Sequence, residues 1–234
     1  MFVAEGVRTV EELLASPLRI KGILTCDIVD RTPRGAALAA QCLARDLDVL
    51  RVSEREFLTA TETENPQGIL AIAEVPDLTL AGLSLAHDAR VLVLDGIQDP
   101  GNVGTLLRTA SALSCAATFV LPGTVDPWNA KVVRSAVGMQ FTHPTISCSE
   151  EELAQFRTTH ALPLWGADAA GTAVGTTPVP RRLALVMGNE GAGLKASVRA
   201  QCDQLVGIPM ASGAESLNVA VAAGILLHAL RSPT

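Results

Sequence analysis

The sequence predicts an α/β protein of two domains, a small α/β sandwich followed by a larger domain built on a parallel sheet. The chain has 234 residues, enough for two domains of ordinary size. Strand-like apolar runs alternate with helical patterns along it. The apolar runs after residue 90 contain few polar residues, which is typical of parallel strands covered by helices on both faces.

The elements of the first domain follow from hydrophobic spacing and capping residues. Residues 1–16 are predicted as a helix, because apolar side chains recur there at helical spacing. Ser53, with Glu56 three residues later, is typical of a capping box and predicts a short helix through residue 58. The remaining expected elements are strands at 20–24, 48–52 and 68–73 and an alanine-rich helix at 34–45.

Pro, Gly and Ser punctuate the stretch that follows, which we interpret as a linker. We therefore expect a first domain at 1–76, a linker at 77–89 and a second domain at 90–234. In the second domain Ser149 is placed to cap an acidic helix. The expected elements there are strands at 90–94, 118–121, 162–166, 183–187 and 205–208 and helices at 103–113, 128–137, 150–159 and 219–230.

Composition narrows the functional class. The net charge of −6 counts against a strong nucleic-acid binder, although 15 of the 18 basic residues are Arg, the type suited to bidentate phosphate contacts. No apolar run approaches the roughly 20 residues of a membrane span, and no secretory signal pattern opens the chain. The five cysteines are scattered and never spaced C-x-x-C, so we expect reduced thiols, no metal site and a cytoplasmic location.

The first candidate motif is DPGNVGTLLRTA, residues 99–110. A Pro-Gly turn leads into a helix that carries Asn102 near its start, then Gly104, and Arg108 almost two turns later. Taken alone, the pattern favours Asn102 as a plain helix cap and Arg108 as a surface residue.

The second motif is LVMGNEGAGL, residues 185–194, where a strand runs into a glycine-rich turn. Gly188, Gly191 and Gly193 allow a ligand to approach the backbone, because they carry no Cβ. A Rossmann phosphate loop is the obvious rival, but the glycine order here is G-x-x-G-x-G and the acidic residue expected about 20 positions on is not clear. A P-loop is excluded, because G-x-x-x-x-G-K-[ST] does not occur.

The third motif is IPMASGAESLNVAVAAG, residues 208–224. After turns at Pro209 and Gly213, it places Glu215, Ser216 and Asn218 before a helix of small residues. Free N–H groups and the positive end of the helix dipole favour an anionic or carbonyl-bearing ligand there. Ser216 or Asn218 as a simple helix cap is the alternative.

These three motifs resemble, in order, the three motifs of the SpoU (TrmH-like) RNA ribose 2′-O-methyltransferases. The resemblance implies an α/β fold of the SPOUT type, in which a parallel sheet has a C-terminal segment threaded as a deep trefoil knot. FVAEGVRTVEELL and NPQGILAIAEVP resemble the ribosomal-protein-L30e-like substrate domain that precedes many such catalytic domains. The implied activity is methylation of a ribose 2′-hydroxyl in structured RNA, with ribosomal RNA favoured over transfer RNA, from S-adenosylmethionine.

The resemblance also assigns residues. The family usually has SLNVS where this chain has SLNVA, so Ala220 replaces a Ser, and we expect the cofactor site to survive that change. The implied catalytic residues are Asn102, Arg108, Glu190, Ser216 and Asn218. The implied cofactor-binding residues are Met187, Gly188, Asn189, Gly191, Ile208, Met210, Ser216, Leu217 and Asn218.

Partners and rival functions complete the expectations. Lys131 and Arg134 lie three apart on one predicted helix face, which either contacts RNA or is simply solvated. A homodimer is expected, because the final helix has apolar residues on more than one face. The rival functions are an RNA-binding module that has lost catalysis and a small-molecule nucleotide-binding enzyme.

Overall fold

The computed structural model describes residues 1–45, 47–211 and 216–231, and these form two compact units. The first unit contains residues 1–77 and 128–142, and the second contains 78–127 together with the described residues from 143 onward. No helix among the described residues is long and apolar enough to cross a membrane.

The first unit is built on a four-stranded mixed sheet of order β1-β4-β2-β3. Strands β1 and β2 both pair antiparallel with β4, and β3 pairs parallel with β2. The predicted capping box is present, since Ser53 and Glu56 exchange side-chain and backbone hydrogen bonds at the start of α3. The elements are β1 (Phe2–Glu5), α1 (Val7–Ala15), β2 (Ile20–Thr25), α2 (Pro33–Ala44), β3 (Val49–Arg51), α3 (Glu54–Ala60) and β4 (Ile69–Ala73).

The prediction of one helix over 1–16 is wrong for its first turn. Phe2–Glu5 is a strand, and Gly6 separates it from the helix with a φ of 95°. Pairing with β4, which lies more than 60 residues later in the chain, buries Phe2 and Ala4 and overrides the local pattern.

Residues 128–142 belong to the first unit, although the sequence analysis assigned them to the second domain. They contain α5 (Ala130–Ser135), which is shorter than the predicted helix and is capped by Asn129. Val133 and Phe141 are buried in the core of the first unit, and the Phe141 and Phe2 rings lie 5.3 Å apart. The core of the first unit is therefore completed by a segment that is distant in sequence.

The second unit is a six-stranded sheet of order β10-β8-β9-β5-β6-β7, and every neighbouring pair in it is parallel. This confirms the predicted parallel sheet. The short strand β7 and helix α7 were not predicted. The elements are β5 (Arg90–Asp95), α4 (Pro100–Ala112), β6 (Ala117–Val120), β7 (Thr145–Ser147), α6 (Glu150–His160), β8 (Leu164–Ala173), β9 (Leu183–Gly188), α7 (Ala196–Ala200), β10 (Gln204–Gly207) and α8 (Val219–Ala229).

Every residue of β5 and β9, the two central strands, is buried, as expected for strands covered on both faces. Arg90 at the start of β5 is buried too, and its guanidinium donates to the carbonyls of Leu230 at 2.5 Å and Arg181 at 2.6 Å. Leu230 is the C-cap of α8, so the Arg90 side chain connects the last helix to the first strand of the unit.

Candidate active site

A cleft opens at the carboxyl ends of β9 and β10, beside the middle of β8, and is closed on one side by α8. Carboxyl ends of parallel strands are the usual ligand-binding edge of an open α/β sheet. Apolar side chains form much of the wall, including Met187, Ile208 and Leu217. The polar groups of the wall are few, which is the composition of a small-molecule site.

One wall of the cleft is a bulge in β8. The pairing register of β10 with β8 shifts between Leu205 and Val206, and residues 167–171 are left without partners on β10. Ala167, Asp168 and Ala169 face the cleft from this bulge. Arg199 donates to the Asp168 carboxylate and lowers its pKa. Bulges of this kind redirect side chains, and here the bulge places backbone and a carboxylate at the cleft.

The glycine turn after β9 forms the second wall. A Cβ on Gly188 would lie 2.4 Å from the carbonyl carbon of Gly193, so only glycine fits there. Asn189 and Gly193 exchange backbone hydrogen bonds of 2.9 Å, and the Asn189 Oδ1 atom accepts the N–H groups of Gly191 and Ala192, both at 3.0 Å. The turn is therefore closed by its own hydrogen bonds and presents Glu190 from a fixed backbone.

Side chains from all three sequence motifs meet beside the cleft. The Asn102 Nδ2 group donates to Glu190 Oε1 at 2.9 Å, and the Asn218 Nδ2 group donates to Asn102 Oδ1 at 3.0 Å. These residues are 88 and 116 positions apart in the chain, so only the fold brings them together. The structure thus brings Asn102, Glu190 and Asn218 together as a hydrogen-bonded row.

The helix caps explain why Asn102 is available for this row. Asp99, not Asn102, caps α4, and its carboxylate accepts the Asn102 backbone N–H at 2.7 Å. The simple-cap alternative is therefore wrong for Asn102. Asn218 does cap α8, accepting the N–H of Ala220 at 3.0 Å, and it also uses its amide nitrogen toward Asn102.

Seven of the nine expected cofactor residues line the cleft, whereas Gly191 and Asn218 do not. Ser216, an expected catalytic residue, also lies in the wall. Arg108 is exposed on α4 and is not part of the wall, and no hydrogen bond or ion pair engages it in the described part of the chain. Gly213 and Glu215 lie outside the described residues. The cofactor residues found in the wall are Met187, Gly188, Asn189, Ile208, Met210, Ser216 and Leu217.

Lys131 and Arg134 lie on α5 in the first unit and have different surroundings. Lys131 is exposed. Arg134 is only 33% exposed, and its Nη1 atom lies 3.5 Å from the carboxylate of Glu5, which is buried. Arg134 therefore balances a buried charge, and Lys131 alone is a freely presented cation of the pair.

Other parts of the wall were missed by the sequence reasoning. They are the bulge at 167–169, Val206 and Gly207 on β10, and Val219, Ala222 and Leu226 on α8. Only the helical spacing of the three α8 residues was a signal for any of them. Among the described residues, no group of three His, Cys, Asp or Glu side chains is arranged to hold a metal ion.

Comparison with protein families matches both parts of the chain. Residues 89–228 match the SpoU rRNA Methylase family, and residues 1–71 match the MRM3-like substrate binding domain. The 23S rRNA (guanosine(2553)-2′-O)-methyltransferase RlmP of Bacillus subtilis is 37% identical over 231 residues, which is 98% of this chain and 88% of that protein.

Solved structures of the same class superpose over nearly the whole chain. The SpoU methyltransferase AviRb from Streptomyces viridochromogenes, in complex with the cofactor AdoMet (S-adenosylmethionine), has a TM-score of 0.86 at 26% identity and covers 98% of this chain and 88% of its own. The AdoMet-bound rRNA methyltransferase from Sinorhizobium meliloti has a TM-score of 0.85 at 30% identity, with coverages of 98% and 86%.

Proposed function

This chain belongs to the SpoU rRNA methylase family, and we propose that it transfers a methyl group from S-adenosylmethionine to the ribose 2′-hydroxyl of a guanosine in 23S ribosomal RNA. The observation that carries the proposal is the row Asn218–Asn102–Glu190 beside the cleft, with Arg108 uncommitted on the same helix as Asn102. The guanosine and the ribosomal substrate follow from the relatives' activities.

The cleft fits S-adenosylmethionine in its chemistry. Gly188 and Gly207 leave backbone exposed at the cleft where a side chain would not fit, since a Cβ on Gly188 would lie 2.4 Å from the Gly193 carbonyl carbon and a Cβ on Gly207 would lie 2.7 Å from the Asp168 carbonyl oxygen. The apolar residues Met187, Ile208 and Leu217 suit an adenosine ring system, and the Asp168 and Glu190 carboxylates suit a cationic ligand.

When bound, S-adenosylmethionine supplies an electrophilic methyl group on its sulfonium. We assign Arg108 as a fixed cation that stabilises the ribose oxygen as charge develops on it, because a guanidinium does not give up its proton in a protein. With the cofactor bound, methyl transfer to the ribose oxygen would release the hydroxyl proton to solvent. Asn102 and Asn218 hold the start of α4 against the start of α8, and Glu190 fixes Asn102.

RNA contacts are assigned to the first unit, as an L30e-like substrate domain. Arg8, Arg31 and Arg34 line one pocket of that unit beside the start of α1. Arg8 is exposed, whereas Arg31 pairs with Glu54 and Arg34 with Glu11. Phosphate contacts suit such an arginine group. Lys131 is a further candidate contact.

We assign the knotted topology of the SPOUT fold to the C-terminal segment and a homodimer to the active enzyme. The exposed apolar side chains of Leu217, Val221 and Ile225 support the homodimer, with 40%, 52% and 41% of their surface accessible. Val221 and Ile225 lie four residues apart on one face of α8, and Leu217 immediately precedes the N-cap Asn218. The proposed rRNA substrate supports a cytoplasmic location, which we include in the proposal.

The test is transfer of a tritiated methyl group from S-adenosylmethionine to unmodified ribosomal and transfer RNA, with calorimetry of cofactor binding in parallel. We expect cofactor binding and methylation of 23S rRNA. Cofactor and RNA binding without transfer would favour the RNA-binding module, and binding of NAD instead would favour the nucleotide-binding enzyme.

Arg108 variants test the fixed-cation role. Arg108→Ala is expected to lower the single-turnover rate roughly 100-fold to 1,000-fold with little change in cofactor affinity, and Arg108→Lys to recover a measurable part because it keeps the charge. A Lys variant as slow as the Ala variant, with normal binding, would contradict the fixed-cation role.

A further inference from the structure

A buried carboxylate lies at the end of β5, next to the glycine turn. Asp95 is fully buried, and its Oδ2 atom accepts the backbone N–H of Lys195 at 2.8 Å. The Asp95 Oδ1 atom has no hydrogen-bond partner in the described part of the chain, but it lies 3.3 Å from the Lys195 ammonium. Burial of a carboxylate without an opposite charge costs free energy, and the Lys195 ammonium supplies the opposite charge for Asp95.

Lys195 also reaches the next strand of the sheet. Its ammonium donates to the carbonyl of Pro122, two residues after β6 ends. The Lys195 side chain therefore contacts the carboxyl ends of both β5 and β6, and its backbone lies just after the glycine turn. At the other end of the turn, the Asn189 Nδ2 group donates to the Gly96 carbonyl at 2.9 Å. The turn is thus anchored to the end of β5 on entry and on exit.

We propose that Lys195, held by Asp95, is a positioning residue of this site. It fixes the exit of the glycine turn and thereby keeps the Glu190 carboxylate within hydrogen-bonding distance of Asn102. Lys195 does not line the cleft, so it acts through the turn and not on the reacting atoms. The effect of Lys195 on the rate of methyl transfer rests on the proposed function, whereas its effect on the glycine turn does not. Misplacement of a site group by about 1 Å can cost about 100-fold in rate.

Amide hydrogen exchange tests the structural part without RNA or cofactor. Lys195→Met removes the charge and leaves the buried Asp95 carboxylate without its counter-ion, so the double variant Asp95→Asn/Lys195→Met, which removes both charges, is measured beside it. We expect faster exchange of the Gly193 amide, which donates to the Asn189 carbonyl, and little change in β5. The matched control is Lys21→Met, a lysine 37% exposed that pairs with Glu74 in the first unit. Unchanged exchange at Gly193 in the Lys195 variant would overturn the proposal.

A double-mutant cycle tests the route to catalysis. Lys195→Met should lower the single-turnover rate about 10- to 100-fold in the wild-type background but less than about 2-fold beside Glu190→Ala, because the residue through which it acts is then gone. The Lys21→Met effect should be the same in both backgrounds. Equal losses for Lys195→Met in both backgrounds would contradict action through Glu190. A wild-type protein that transfers no methyl group would refute the proposed function and leave the exchange result standing.

Discussion

The most informative substitutions are at Asn102, since its amide serves two neighbours with different chemistry. Asn102→Ala removes a bond of 2.9 Å to the Glu190 carboxylate and one of 3.0 Å from the Asn218 amide. A bond to a charged group contributes about 1.5–3 kcal/mol and a neutral one about 0.5–1.5 kcal/mol, and the low ends apply because Asn102 is only half-buried and Glu190 and Asn218 are exposed. The loss of about 2 kcal/mol predicts a single-turnover rate roughly 30-fold below wild type.

Asn102→Asp keeps the acceptor for Asn218 but places a second carboxylate against Glu190. Two unit charges at about 4 Å repel by about 1 kcal/mol in water and about 4 kcal/mol at an effective dielectric constant of 20. We therefore expect the rates to fall in the order wild type, Ala variant, Asp variant. The assay is single-turnover methyl transfer, with cofactor binding measured by calorimetry.

The matched control is Thr105→Ala, one turn further along α4. The Thr105 hydroxyl donates only to the Gly101 carbonyl within the helix, so a rate within about 2-fold of wild type is expected. An Asp variant as fast as the Ala variant, or an Ala variant within about 3-fold of wild type, would refute the hydrogen-bonded row as a working part of the site.

Three further predictions concern stability and reactivity. Phe141 is buried in the core of the first unit, so Phe141→Ala should lower the free energy of unfolding in urea by about 3–5 kcal/mol. For the same reason a chain beginning at residue 89 should aggregate. A truncated chain that is soluble and unfolds cooperatively would contradict this role of the first unit. Burial lowers the pKa of His143 from 6.5 to about 4, so that on acidification the unfolded chain takes up the proton before the folded one does. The free energy of unfolding should therefore fall by about 3 kcal/mol between pH 6.5 and pH 4. His143→Gln should flatten that pH dependence, and an unchanged slope would show that His143 is not its source. Burial raises the pKa of the Cys115 and Cys148 thiols to about 12 and that of the Cys202 thiol to about 11. Iodoacetamide at pH 8 should therefore leave all three cysteines unlabelled until the protein is denatured. Rapid labelling of the native protein would show that these thiols are accessible and reactive.

The sequence placed the polar residues of the candidate site in three short motifs, which were picked out by their resemblance to the SpoU family; the catalytic roles of these residues stay predictions. Asn218 could be placed at the start of α8 from the turn residues before it, and the glycine turn could be placed after a strand. What the sequence did not contain was the pairing of Asn102 with Glu190 and Asn218, which depends on the sheet order.

The missed features share a cause, which is pairing at long range. The bulge at residues 167–169 is set by the register of β10 on β8, and nothing in the local sequence marks it. The strand Phe2–Glu5 forms on β4, and the segment 128–142 packs in the first unit although its helical pattern suits either unit equally. Hydrophobic spacing shows that a face is buried but does not show which partner buries it.

The second domain expected at 90–234 differs from the second unit of the structure for the same reason. All three motifs lie after residue 94, but Val133 and Phe141 depend on the first unit for their burial. Removal of residues 1–88 would expose both side chains to water. Substitution of such apolar residues by polar ones would be needed before cofactor binding could be measured on the isolated second domain.

The central claim is that this site methylates a ribose oxygen, and the nature of the methylated nucleoside tests it most directly. Ribosomal RNA labelled by the enzyme with tritiated S-adenosylmethionine would be hydrolysed in alkali, which leaves intact only the linkage that follows a 2′-O-methylated ribose. The label is predicted in an alkali-resistant dinucleotide that begins with guanosine. Label recovered in an alkali-sensitive mononucleotide would place the methyl group on a base and contradict the account.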